Sequence, residues 1–335
     1  MYNIVIFFLL ASVFLYCLLG GADFGAGIIE LTARGERRNR TRVLVTRAMA
    51  PIWGANHIWL IITIIILFIG FPPVYHQIAN SLSIPLVLLL VGIILRGLAF
   101  TFRQYDTIKD KSKEIYSRIF TYSNLIVTFL FGLIMGSLIS GRITTTPKDF
   151  IDGYINSWFS LFSISTGIFL CCLFPFIASI YLFSDADDKR TRNEFLKISK
   201  RAISSAIISG GLVFSASLAD NNGFVRIFFS NIISVVFIIA ATISLPSLWK
   251  ALELGSVWVA RIIAGAELFF ILAAFYAAYF PVIVVIKNGS NITLFNSAAP
   301  EITLNYLGWS LLSGSLIIFP ILFYLIKIFK FEIKD

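Results

Sequence analysis

Charge is scarce in this chain: Asp, Glu, Lys and Arg supply 13% of 335 residues, against 58% that are hydrophobic. A soluble domain draws about a quarter of its residues from those four types, so the composition excludes one and indicates a polytopic membrane protein. Cysteine is nearly absent. Cys17, Cys171 and Cys172 all lie in apolar runs, without the spaced Cys or His companions of a zinc or iron–sulfur site. Histidine is rarer, with His57 and His76 alone. They stand 19 residues apart, about 28 Å along a continuous helix, so both cannot hold one iron. A single His57 ligand, or one paired with another subunit's residue, stays open beside a hydrogen-bonded structural histidine. There is no Walker loop, no G-x-G-x-x-G after a strand, no H-E-x-x-H and no nucleophile elbow. The first apolar run lacks a basic leader, and Gly20-Gly21-Ala22-Asp23 is a poor cleavage site, so that run is expected to remain as a helix.

What the chain has is long apolar runs. A span of about 20 apolar residues crosses a bilayer, and nine such runs lie near 2–29, 50–72, 82–102, 119–140, 156–183, 202–219, 224–245, 259–286 and 307–329. The net charge of +9 does not gather on one amphipathic face, which argues against a nucleic-acid partner. It falls instead in alternate loops. Arg34, Arg37, Arg38, Arg40, Arg42 and Arg47 fill the first; Arg103, Lys109, Lys111, Lys113 and Arg118 the third; Lys189, Arg190, Arg192, Lys197, Lys200 and Arg201 the fifth. Lys250 and Arg261 follow in the seventh, and Lys327, Lys330 and Lys334 in the tail. By the positive-inside rule the N-terminus is expected outside and the C-terminus in the cytoplasm. Every loop is short, leaving no room for a soluble catalytic domain, so 1–335 reads as a single integral membrane domain.

Polar groups inside those runs mark the candidate site. Pro51 to Leu60 reads P-I-W-G-A-N-H-I-W-L, placing Trp53, Asn56, His57 and Trp59 at the start of an otherwise aliphatic helix. Counted from the nearest basic residue, Asp23, His57, Arg96 and Glu267 all fall roughly 9 to 15 Å from the basic boundary. Ionisable groups in lipid need partners, so one buried polar network is expected, with Asp23 and Arg96 as its ion pair. The pair could be an assembly device that fixes helix register, or a proton path or electrostatic site for a neighbouring cofactor. Gly21 and Gly25 form a small-xxx-small face that lets another helix approach and shield Asp23 from lipid.

Five stretches together carry a resemblance: G-A-D-F-G-A-G (Gly21 to Gly27), P-I-W-G-A-N-H-I-W-L, F-P-P-V-Y (Phe71 to Tyr75), L-R-G-L-A-F-T-F-R (Leu95 to Arg103) and I-T-L-F-N-S-A-A-P (Ile292 to Pro300). In content, order and spacing the chain resembles subunit II of the cytochrome bd family of quinol oxidases, and its Asn-His-Ile-Trp form is similar to the cyanide-insensitive branch. The resemblance implies an all-α fold of nine transmembrane helices: a four-helix bundle over 1–140, a second over 156–286, and an additional helix over 307–329. It implies a prokaryotic cell-membrane complex that oxidises quinol and reduces dioxygen to water. A subunit I partner would carry the b- and d-type haems, a small single-helix subunit would be a further partner, and no cofactor would sit in this chain.

On that resemblance Asp23 and Arg96 match positions needed for stable haem incorporation, and Trp53, Asn56 and Trp59 match a helix-two motif. The chain departs at Gly54, where the family has an acidic residue proposed to move protons, at Thr101, and over Ser184 to Asp188. His57, one turn from the missing carboxylate, could replace it as a proton carrier. A secondary transporter is the alternative from another class; it would place polar groups at mid-membrane on broken helices in matching halves.

Overall fold

The computed structural model describes residues 1–49, 53–105, 112–186 and 188–331. Pro51, Ile52, Lys109, Lys111 and Lys334, and the side chains of Trp53, Lys327 and Lys330, lie outside the described residues. Among those described, eight helices are long and apolar enough to cross a membrane, nine if a bent pair counts as one span. The protein is thus a multi-pass, all-α membrane protein.

The first span is one rod in three pieces: α1 (Tyr2–Leu15), a π-turn (Tyr16–Gly20) and α2 (Gly21–Thr32). An arginine-rich helix, α3 (Glu36–Met49), follows outside the apolar zone. α4 (Trp53–Gly70) then crosses and turns by 115° into α5 (Pro72–Ser81). Pro72 and Pro73 supply the reason: proline is tolerated in a helix's first turn but cannot continue the preceding one. The expected run 50–72 therefore ends at Gly70. α6 (Ser83–Tyr105) and α7 (Ser112–Ile139) form the next hairpin.

After a short helix, α8 (Phe150–Tyr154), the second half comprises α9 (Leu161–Asp185), α10 (Lys189–Asp220), α11 (Phe224–Ser230), α12 (Ile232–Glu253), α13 (Val257–Tyr279) and α14 (Glu301–Phe331). The runs expected at 156–183 and 307–329 begin at Leu161 and Glu301, and three other boundaries move further. The run at 202–219 is the end of a helix that begins at Lys189, where the Asp188 side chain accepts from Thr191 N; its basic first half extends the helix beyond the apolar zone. The run at 224–245 is interrupted at Asn231, whose side chain accepts from Ile233 N and Ser234 N, so the spanning helix starts at Ile232. The run at 259–286 stops at Tyr279, and Val282–Val284 pairs with Ile292–Thr293 as a two-stranded antiparallel ribbon, β1 and β2.

Packing centres on α9, which lies against α2, α7, α10 and α13, while α4 and α14 pack on α1. The end opposite the arginine helix is closed by backbone bonds from Val285 N to Leu138 O (2.8 Å) and Lys287 N to Ile143 O (2.7 Å).

Candidate functional site: two buried ion pairs on parallel helices

Asp23 and Arg96 form an ion pair, with side chains 1% and 0% exposed. Local sequence accounts for both the burial and the contact. On α2, a Cβ at Gly25 would stand 2.1 Å from the Phe174 carbonyl oxygen and 2.7 Å from Pro175 N. Only a residue without a side chain admits the α9 backbone there. A Cβ at Gly27 would meet Asn124 Nδ2 at 2.3 Å. That notch seats Asn124, whose Oδ1 accepts from Arg96 Nε at 2.6 Å and whose Nδ2 donates to Phe120 O at 2.7 Å. The guanidinium also lies over the Phe24 ring, 4.6 Å from its centroid.

His57 joins this pair from α4. Its Nε2 is 3.4 Å from Arg96 Nη1. A guanidinium has donors only, so Nε2 is the acceptor and the ring carries its proton on Nδ1. A nitrogen turned to a guanidinium in this way is not available to a metal ion. Tyr16, on the π-turn and buried, stands 6.3 Å from the imidazole and 6.1 Å from Phe24, centroid to centroid. A π-turn at this point is a frequent mark of functional segments, and nothing in the sequence reading anticipated it.

One residue expected in the network stands apart from it. Glu267 is buried on α13, but its Oε1 accepts from Ser244 on α12 at 3.2 Å, and among the described residues no hydrogen bond or ion pair joins it to Asp23, His57 or Arg96. Gly265 and Phe269, on either side of it, face Leu18 and Phe14, about two turns before Asp23 on the first span, so the expected common depth does not hold for Glu267. Asn56 and Trp59 are buried, at 2% and 6% exposed, on the α4 face toward α1 and α14. Trp59 lies 6.0 Å from Phe319, and its carbonyl accepts from Thr63, whose hydroxyl meets Ser12 at 2.8 Å. Asn56 Nδ2 has no hydrogen bond among the described residues. Of Trp53 only the backbone is described, as the first residue of α4.

The sequence reading missed a second ion pair. Glu30, fully buried, accepts from Arg103 Nη1 through both carboxylate oxygens at 2.9 Å, from Ser117 Oγ at 2.9 Å and from Arg42 Nε at 3.3 Å. Arg103 Nη2 reaches Thr46 at 3.1 Å. Glu114 then links Arg42 (3.1 Å) and Arg38 (2.7 Å), carrying the network from the buried carboxylate to partly exposed arginines of α3. The signal was present in the spacing: Asp23 and Glu30 are seven residues apart on one helix, as are Arg96 and Arg103 on another. Seven residues is about two turns and 10.5 Å, which returns to the same helix face. α2 and α6 therefore carry two matched rungs. Between them lies Phe120, 5.7 Å from the Arg96 guanidinium and 4.3 Å from that of Arg103.

A site of this kind can hold helices in register and fix charge in a low-dielectric region; no metal-ligand cluster accompanies it among the described residues. Comparison with known proteins gives it a context. The family described as "Cytochrome bd terminal oxidase subunit II" matches residues 1–329. Cytochrome bd ubiquinol oxidase subunit 2 of Bacillus subtilis (strain 168) is 28% identical over 164 residues, 48% of this chain and 47% of that protein. Cytochrome bd-I ubiquinol oxidase subunit 2 of Escherichia coli (strain K12) is 26% identical over 174 residues, 51% of this chain and 42% of that protein. The aligned region thus spans less than half the length of either relative. In fold, the chain superposes on a chain of the bd oxidase from Geobacillus thermodenitrificans with a TM-score of 0.76 at 17% identity, covering 98% of each.

Proposed function

The chain belongs to the cytochrome bd terminal oxidase subunit II family, and from that membership we propose that it is the haem-free second subunit of a quinol:oxygen oxidoreductase in a prokaryotic cell membrane. Subunit I, in this reading, carries haem b and haem d, oxidises quinol and reduces dioxygen to water, and a small single-helix subunit accompanies the pair. The family match along 1–329 carries the reading and does not favour a secondary transporter. In support of this reading, His57 Nε2 is engaged by Arg96. The N-terminus lies outside and the C-terminus in the cytoplasm, consistent with the basic residues of α3 and of the first half of α10. Residues 1–140 and 156–286 form two four-helix bundles with 307–329 beside them, and α9 is the seam.

Asp23, Asn56, His57, Trp59 and Arg96, with Trp53 at the start of α4, form the part of this subunit that stabilises the haem-bearing one; Glu267 acts separately. The burial of the Asp23–Arg96 ion pair favours stabilisation. A cytoplasmic proton path is the second role, and here His57 stands in for the carboxylate absent at Gly54, an exposed position where an added Cβ meets no atom within 4 Å among the described residues. Oxygen-reduction rates of a His57→Leu complex that match wild type across pH would remove that second role.

The principal test is a dithionite-reduced-minus-oxidised spectrum of membranes expressing this chain with and without the large partner, followed by affinity purification through a tag on this chain. Haem that co-purifies only when both are present supports the assignment. Haem on this chain alone overturns it.

A further inference from the structure

A second site lies in the other half of the molecule. α9, α10, α12 and α13 enclose a cavity of about 320 Å³, at the lower end of the range for ligand pockets. Its walls are apolar apart from Thr242 and the Glu267 carboxyl, which is turned to Ser244. Lining residues run from Ile203 to Phe214 along α10, about 16 Å of helix. On the rim Ile207 is 59% exposed and Gly211 and Thr242 are exposed, so the cavity opens sideways between α10 and α12 toward the surrounding hydrocarbon.

Cations collect at one end of this opening. Lys197 and Arg201 are exposed and share a face of α10 with the exposed Ile208 and Leu212; Lys250 continues the exposed α12 stripe of Ile232, Val236, Ile239 and Ile243. None of the three takes part in an ion pair among the described residues. Lys200, one turn below Ile203, is paired with Glu253 at 3.2 Å and lies 4.7 Å from the Trp249 ring centroid, so an aromatic anchor stands at the same level. An apolar slot with three unpaired cations and an indole at its basic mouth is complementary to one kind of molecule.

We propose that this crevice binds an anionic phospholipid, one acyl chain lying between α10 and α12 and the phosphate held by Arg201 and Lys250 with Lys197 beside them. The test uses the full chain in its native complex, reconstituted in nanodiscs with phosphatidylglycerol or phosphatidylcholine bearing a photoactivatable group in the acyl chain. Cross-linked peptides are then mapped by mass spectrometry. Phosphatidylglycerol is expected to label Ile207, Thr242 and Leu245. Selectivity over phosphatidylcholine should fall by about twenty-five-fold in Arg201→Gln/Lys250→Gln, at about five-fold per cation removed. Gly211→Leu fills the slot, since a Cβ there meets nothing within 4 Å; it should abolish labelling by both lipids while leaving that of the exposed Leu90 and Leu98 on α6 unchanged. Equal labelling by the two lipids in wild type overturns the proposal, as does labelling that survives Gly211→Leu. Absence of label at the crevice in the intact complex overturns it too, since a partner chain would then cover the slot. Displacement by added quinone but not by excess phosphatidylglycerol would assign it to an isoprenoid occupant instead.

Discussion

Removing the Arg96 guanidinium is the sharpest perturbation the structure offers. In Arg96→Met the stem is kept and the charge lost, leaving Asp23 without its cation at 1% exposure. Breaking a buried pair from one side costs about 3–5 kcal/mol, mostly the penalty of the stranded charge. Asn124 Oδ1 also loses a donor at 2.6 Å, a charge-assisted bond of about 1.5–3 kcal/mol, and Phe24 loses a cation–π contact of about 1–2 kcal/mol. These contributions overlap, and an apparent loss near 4–5 kcal/mol is expected, a fall of about 10 °C in the thermal midpoint. Asp23→Asn should cost less, because the guanidinium keeps Asn124, Phe24 and His57. The double variant Asp23→Asn/Arg96→Met strands no charge and should recover about 2–4 kcal/mol relative to the sum of the singles. Thermal midpoints of the purified complex in detergent, read by fluorescence-detected size exclusion with haem content alongside, complete the cycle. Additive effects, or an Arg96→Met complex as stable as wild type, would refute the claim that the pair is buried and mutually required.

Three further outcomes follow from the same geometry. Gly25→Ala puts a methyl 2.1 Å from a backbone oxygen, so α2 and α9 must separate at a cost of about 1–3 kcal/mol or more; complex yield should fall sharply, whereas Gly54→Ala, with open space around it among the described residues, should leave yield unchanged. Arg103→Lys cannot reproduce a fork that reaches Glu30 and Thr46 together, so its thermal midpoint should lie nearer to that of Arg103→Met than to wild type. At the opposite end of the bundle, the hydrogen bond from Lys287 and then the Lys148 backbone amide hold the Asp152 carboxyl below the usual carboxylate range. A depressed folded-state value stabilises above the unfolded value, about 3.9 for Asp, and that contribution fades as pH falls through the folded one. Wild type and Asp152→Asn should therefore differ at neutral pH and converge below about pH 4, as measured by hydrogen exchange of the 282–293 ribbon.

Much of this protein is legible in its sequence. Apolar runs of spanning length appear as helices because every backbone group in a bilayer must be satisfied within its own segment. Helix ends were less legible. The break at Asn231 and the start of α10 at Lys189 depend on side-chain caps and on lysine and arginine stems that extend a helix past the apolar zone. The Asp23–Arg96 pair could be anticipated, since two opposite charges at one depth in lipid seek each other. Glu30 and Arg103 were hidden because they sit beside basic loops, where an ionisable residue reads as a topology signal, and only the repeated seven-residue spacing distinguishes them.

The sequence by itself determined an approximate height. With a fixed rise per residue and a basic boundary to count from, it put Asp23, His57, Arg96 and Glu267 at one level, and the contacts join the first three and leave Glu267 about two turns away. Only the tertiary structure decided azimuth and neighbourhood, because lateral contact depends on which helices can approach. That approach is set by glycine notches whose partners lie far along the chain: Gly25 against Phe174 and Pro175, and Gly27 against Asn124. Those contacts bring α2, α6 and α7 together around Arg96 and leave Glu267, beside the 14–18 stretch of the first span, facing Ser244 across another pair of helices.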